Sequence, residues 1–327
     1  MATYCCGSQG PEVASIQQKL KDVKIYSGPI DGVFGGGTES AVRAFQRNAN
    51  LSADGTVGSA TWAKLFAGAA ASETAIKEPK IKTQPLALRC LALTGSFETT
   101  SPPPDCFAGL CGNFDGQGLS FGVCQWNLGQ KSLQPLLNEL NNTQPKLVDA
   151  IFHDYASEFR KMIASSPEEQ MEWAISIQNP RHNLIEPWMG LLKAIGRTPE
   201  FQAIQASHAS RLFQDALVLC REFDVTSERA AALLFDIKVQ NGSISDVVKT
   251  QIERDYAGIS TDGAASAVEV ARLQIIANRR AEAAAAQWVA DVRTRKLTIA
   301  NGAGTIHGRS YDLDAQYGIG LGAFTPA

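Results

Sequence analysis

The stretch from Gly95 to Gly129 (GSFETTSPPPDCFAGLCGNFDGQGLSFGVCQWNLG) does most to limit how this chain can fold. An almost wholly apolar segment, Leu86 to Phe97, leads into it and runs directly into Glu98. Pro102, Pro103 and Pro104 then stop any helix that reaches them. A glycine-punctuated run carrying Asp115 follows, and Phe121 to Leu128 has a strand-like pattern. Two carboxylates are thereby expected in opposite surroundings, one at the end of a buried helix and one in an open loop. Such a pair is what acid/base cleavage of a sugar polymer requires.

Glu98 follows LALRCLALTGSF and is expected to meet apolar neighbours near a helix C-terminus, where exposed carbonyls disfavour negative charge. Both influences favour the protonated form of a carboxyl. Asp115 lies in Asn113-Phe114-Asp115-Gly116-Gln117-Gly118, where backbone N–H groups and water keep a carboxylate ionised. Taken alone, each has a plain structural reading, a frayed helix end and an Asp-Gly turn. The pair is more informative than either part.

Several function classes are excluded by composition. With 327 residues, 44% hydrophobic and a net charge of −3, the chain is globular, with length for two domains and no global basic field for nucleic acid. No apolar run reaches the length of a membrane span, and MATYCCGSQG has no secretory pattern. Cytoplasmic synthesis is therefore expected, with release by lysis or delivery by a secretion machine if the target lies outside. Seven cysteines, two of them adjacent, give no clear disulfide framework. Cys90 and Cys220 read as small buried hydrophobes, whereas pairing among Cys106, Cys111 and Cys124 stays open. His153, His182 and His208 show no metal-binding spacing, and no cofactor is expected.

Residues 8–67 contain an internal repeat. DGVFGGGT (31–38) recurs as DGTVGSAT (54–61), and each copy follows a helical pattern. Asp-Gly supplies a turn and a following Ser or Thr can cap the next helix, which predicts a small three-helix unit with two similar turns. Ile16-Gln17, Leu20, Tyr26, Ile30-Asp31-Gly32, Phe34-Gly35, Thr38, Ala41-Val42, Phe45-Gln46, Leu51, Asp54-Gly55, Val57-Gly58, Thr61-Trp62 and Leu65 resemble the peptidoglycan-binding module of cell-wall hydrolases. The resemblance implies a non-catalytic targeting domain, with ligand contacts around Tyr26, Asp31 and Phe34.

Residues 68–85 read as a semi-flexible linker, and 86–323 as a mainly helical domain. Helical spacing appears over 131–142, 145–164, 167–177, 184–196, 199–223, 227–242, 243–258, 264–284 and 287–302. Only about 111–128 reads as β structure, and the tail 304–322 reads as a surface loop. Arg279, Arg280, Arg293 and Arg295 are expected on a solvated helix face, and Trp126 and Trp188 in the core or stacked on sugar.

A buried helix ending in Glu98, then a β turn bearing Asp115 and Gly-x-Ser-x-Gly-x-x-Gln, resembles the lysozyme-like superfamily. Asp115-Gly-Gln-Gly-Leu-Ser-Phe-Gly is similar to the DGxGxTxG segment of family 46 chitosanases. The resemblance implies Glu98 as general acid and Asp115 as general base of an inverting hydrolysis. It also implies substrate contacts from Ser120, Gln125, Trp126 and Asn127, and from Asp236, Gln240 and Asn241 in FDIKVQNGSI. Gln125-Trp126-Asn127 departs from the chitosanase pattern toward murein-cleaving relatives, which favours an N-acetylated glycan. A rival motif, Gly118-Leu119-Ser120-Phe121-Gly122, matches a serine-hydrolase elbow but needs a helix where VCQW looks like strand.

The expectation is thus a monomeric, two-domain peptidoglycan hydrolase of the endolysin or antibacterial-effector kind, the latter with an immunity or delivery partner. Lytic transglycosylase, chitosanase and a non-catalytic wall-binding protein are the alternatives.

Overall fold

The computed structural model describes residues 3–5, 8, 10–26, 30, 32–66, 79–260 and 263–324. Over these the fold is mainly α with two small antiparallel sheets. The residues group into two compact units. One comprises Met1–Leu93, Thr100–Pro103 and Leu212–Ala327, and the other Thr94–Thr99 and Pro104–Arg211.

The chain starts in the first unit with α1 (Pro11–Asp22), α2 (Gly36–Asn48) and α3 (Ser59–Leu65). Val13, Ile16 and Leu20 recur at helical spacing on α1 and are fully buried with Phe34, Val42 and Val57. The sequence repeat is a structural repeat. Gln17 Oε1 accepts from Gly32 N (2.9 Å), and its Nε2 donates to Val33 O (2.9 Å) and Thr38 Oγ1 (3.2 Å). Gln46 does the same one repeat later, to Gly55 N (2.9 Å), Thr56 O (2.8 Å) and Thr61 Oγ1 (3.1 Å). One buried amide thus satisfies the backbone of each Asp-Gly turn, which explains why the repeat keeps its register. Of the predicted linker, Lys80–Thr83 form a 3-10 turn with Ile81 buried, and 67–78 lie outside the described residues.

Next, α4 (Leu86–Thr99) leads to β1 (Leu110–Cys111), β2 (Ser120–Phe121) and β3 (Trp126–Asn127), an antiparallel sheet in sequential order. Around this sheet lie α5 (Gln134–Thr143), α6 (Pro145–Phe152), α7 (Ala156–Ala164), α8 (Pro167–Ser176), α9 (Trp188–Gly196) and the first half of α10 (Pro199–Glu222). Their apolar faces form one core with Leu119, Phe121 and Leu128. The single helix expected over 145–164 is two, because His153 takes a left-handed φ of 46°. Trp188 is a core residue, edge-on to Trp173 at 4.9 Å, so its sugar-stacking role is withdrawn.

The remainder of the first unit is α11 (Glu228–Asn241), α12 (Asp246–Tyr256), α13 (Ala265–Glu282), α14 (Val289–Asn301), β4 (Ala303–Ile306), β5 (Arg309–Asp312) and α15 (Leu313–Tyr317). The tail expected as a surface loop is instead a hairpin and a short helix. His307 (φ 48°) and Gly308 (φ 79°) make the two-residue turn, a geometry that suits strand twist. Ile306, Tyr311, Leu313, Tyr317 and Ile319 are buried. Arg295 is also buried rather than solvated, because its guanidinium pairs with Asp236.

Candidate active site

The last two turns of α4 seat Glu98. Residues Leu91 to Phe97 are buried, as the apolar run predicts. Gly95 makes the close seating feasible, since a Cβ there would lie 1.9 Å from Val123 Cγ2 in the β2–β3 turn. Glycine inside a helix costs about 1 kcal/mol relative to alanine, and here it permits a contact that alanine forbids. One turn on, Thr99 lies over Gly109, where a Cβ would come within 2.8 Å of Thr99 Cγ2. Gln205 of α10, fully buried, fixes the opposite side of the turn. Its Oε1 accepts from Val123 N (2.9 Å) and its Nε2 donates to Phe107 O (3.0 Å).

Glu98 itself is exposed, which corrects the expectation of apolar surroundings. The buried face of α4 ends at Phe97 (2% exposed), and the next residue turns about 100° around the axis toward solvent. Its charge is felt in the β2–β3 turn. Burial, and secondarily the Glu98 carboxylate, push the Cys124 thiol up to about 12.

Asp115 is exposed in the β1–β2 loop, as expected. Its Oδ1 accepts from Gln117 N (3.1 Å), and Gly116 and Gly118 take φ of 79° and 78°. The loop is held at both ends. Asn113 Oδ1 accepts from Gly118 N (2.7 Å), while Gln178 accepts from Asn113 N (2.8 Å) and donates to Gly118 O (2.9 Å). Partial burial, and then the charge of Asp115, raise the Cys111 thiol above its ordinary value. Glu98 therefore borders the β2–β3 turn and Asp115 borders β1. Two exposed carboxylates thus lie in one compact unit with the small sheet, each close enough to act on a neighbouring cysteine.

The other expected contact residues are placed differently. Ser120 is buried on β2 opposite Asn127, and a turn to β3 follows it rather than a helix, so the serine-hydrolase elbow does not form. Gln125 Nε2 donates to Gly122 O (2.8 Å), and Asn127 Oδ1 accepts from Gln130 N (2.8 Å). Both side chains brace loops next to the carboxylates. Trp126 is half-buried against the core.

Asp236 belongs to the first unit and is fully buried, which corrects its placement as a substrate contact. Burial alone would raise its carboxyl, but Arg295 and Lys296 outweigh that and hold it well below the usual carboxylate range. Gln240 accepts from Lys296 Nζ (2.6 Å), and Asn241 Oδ1 is buried with no hydrogen-bond partner among the described residues. In the N-terminal three-helix segment Tyr26 (9% exposed) and Phe34 (0%) are core rather than ligand surface. Asp31 lies outside the described residues.

The residues missed by sequence reasoning are Gln178 and Gln205. Gln205 lies four positions after Phe201 on the buried face of an amphipathic helix. That polar break in an apolar stripe was the available signal. Among the described residues Cys5, Cys90, Cys111, Cys124 and Cys220 are free thiols, no group of three His, Cys, Asp or Glu could hold a metal, and no helix is long and apolar enough to cross a membrane.

Two kinds of likeness accompany this geometry. Among solved structures, a GH46 chitosanase from Gynuella sunshinyii in complex with chitotetraose is similar over 67% of this chain and 87% of its own, at 15% identity and a TM-score of 0.38. A second chitosanase complex is similar over 69% and 95%, at 16% identity and a TM-score of 0.40. Among sequence relatives, the N-acetylmuramoyl-L-alanine amidase CwlM of Mycobacterium tuberculosis is 40% identical over 57 residues, 17% of this chain and 14% of its own length. A spore cortex-lytic enzyme of Bacillus cereus is 44% identical over 55 residues, 17% of this chain and 21% of its own. The chain thus spans about a fifth or less of these relatives. Residues 9–65, which hold the Gln17 and Gln46 turns, match the family described as a putative peptidoglycan binding domain.

Proposed function

We propose that the chain is a cell-wall glycan hydrolase. Residues 8–67 hold it on peptidoglycan, and the domain over 86–323 cleaves the β-1,4 backbone with Glu98 as general acid and Asp115 as general base. The observation that carries the reading is the exposure of both carboxylates in one compact unit, Glu98 on the helix packed against the β2–β3 turn and Asp115 in the β1–β2 loop. The family match over 9–65 supports the choice of polymer. Holding the enzyme on an insoluble wall raises the local concentration of scissile bonds.

Glu98 is exposed at the end of α4 and open to a glycan strand. A strand lying over the end of α4 takes the proton of the Glu98 carboxyl on its leaving oxygen. Asp115, fixed by its own loop backbone, directs water to the opposite face of the sugar. Carboxyls separated by about 6.5–9.5 Å leave room for that water and give inversion.

Mass spectrometry of products from purified peptidoglycan tests the reading. Hydrolysis gives reducing ends, whose identity separates muramidase from glucosaminidase action. Anhydro ends would assign lytic transglycosylase action, with Glu98 as the one essential carboxyl. Release of soluble products only from glucosamine polymer would make the protein a chitosanase. Sedimentation with peptidoglycan but no product from either polymer would leave a wall-binding protein alone.

A further inference from the structure

Beside Asp115 the surface holds an aromatic residue that the fold does not need. Phe114 is 62% exposed, and its ring meets the ring of His182, also exposed, edge-on at 5.5 Å. Here the exposure does not come from a slack backbone. The Phe114 loop is clamped through Gln178 to Asn113 N and Gly118 O. The His182 loop is closed on itself by Asn179, whose Oδ1 accepts from Arg181 N (2.9 Å) and Asn183 N (3.1 Å). The two loops are in tight contact, because a Cβ at Gly112 would lie 1.8 Å from His182 O. His182 itself takes a left-handed φ of 57°, a conformation that non-glycine residues seldom adopt.

We infer that Phe114 and His182 form a sugar-binding platform next to Asp115, a subsite for one pyranose ring of the glycan strand. The inference rests on the glycan-hydrolase reading and deepens it. A β-1,4-linked pyranose presents axial C–H groups on its face, which pack on an aromatic ring, and equatorial hydroxyl or acetamido groups at its rim. Phe114 supplies the flat apolar surface, and the imidazole beside it supplies a polar edge for the rim. Because both loops are fixed before any ligand arrives, little ordering opposes binding. Phe114 immediately precedes Asp115, so a ring seated there is registered against the general base. The platform sets which linkage of a strand lies at the carboxylates.

Isothermal titration of the full-length Glu98→Gln protein tests this with two probes, soluble glycan strands stripped of stem peptides and a glucosamine hexamer. Adding Phe114→Ala is expected to weaken binding of the preferred probe about tenfold, and Phe114→Trp to retain it. In the active protein Phe114→Ala is expected to raise KM, leave kcat nearly unchanged and move the cleavage position along a defined oligomer. Thermal melting checks that each variant is folded. Unchanged affinity and an unchanged cleavage position in a folded Phe114→Ala protein would overturn the platform and leave the hydrolase reading intact. Failure of the parent to bind either probe would overturn both.

Discussion

Gly95 of α4 and Val123 of the β2–β3 turn touch so closely that a methyl group on Gly95 would lie 1.9 Å from Val123 Cγ2. This contact seats the helix that ends in Glu98 against the turn that holds Cys124. Gly95→Ala is therefore expected to destabilise by about 1–3 kcal/mol through overpacking. Val123→Ala in the same chain is expected to recover part of that loss. Urea unfolding of the two single variants and the double variant measures the coupling, and strict additivity would show that the two sites do not share this contact.

The two carboxylates are expected to differ in how their loss reads out. Glu98→Gln removes the proton donor, and activity on peptidoglycan should fall by about 10²–10⁴-fold. Asp115→Asn should cause a comparable fall if water is the nucleophile. Retention of most turnover by Asp115→Asn, with anhydro products, would assign a transglycosylase instead. Single-turnover rates on one peptidoglycan preparation make the comparison.

Cys124 reports on Glu98 directly. With its thiol pushed up to about 12 by burial and by the Glu98 charge, Cys124 is expected to alkylate slowly at pH 8 and faster as pH rises toward that value. Glu98→Gln removes the smaller of the two causes, so the rate at a fixed alkaline pH should rise modestly. Peptide mapping after timed iodoacetamide treatment follows the site. No change in rate would place Glu98 too far away to act on the thiol.

The buried group of Asp236, Arg295 and Lys296 makes a prediction about stability. Asp236→Asn leaves two buried cations short of their counter-charge and should cost about 3–5 kcal/mol near neutral pH. The folded-state carboxyl is depressed, so its contribution is fully present above the ordinary carboxylate range near 4. That contribution is lost as pH falls through the lower folded value. The gap between parent and variant should therefore narrow below about pH 4. Denaturant titrations at pH 7 and pH 3 read it.

Gln46 is the simplest probe of the repeat. Gln46→Leu keeps similar volume but strips partners from Gly55 N and Thr56 O, at a cost of about 1–3 kcal/mol for each buried group left unpaired. Binding to sedimented peptidoglycan should fall together with the protection of Gly55 N against hydrogen exchange. Loss of binding with that amide still protected would instead assign Gln46 a direct ligand contact.

The sequence by itself determined the helical class, the two-turn repeat, the last turn of α4 carrying Glu98 and the open Asp115 loop. Each follows from local chemistry: apolar periodicity, Asp-Gly turns, proline stops and glycine-permitted φ. It did not determine the β4–β5 hairpin, where His307-Gly308 serves as a turn without the usual Asn-Gly signature. Nor did it separate Glu98 from its greasy predecessors, since burial depends on which way a residue points from the helix and on what packs there. The inward placement of Asp236, Tyr26 and Phe34, and the bracing by Gln178 and Gln205, were decided only by tertiary structure. A polar side chain looks the same in sequence whether it meets a ligand or a backbone amide from a distant segment. Only the packed chain brings that amide within hydrogen-bonding reach.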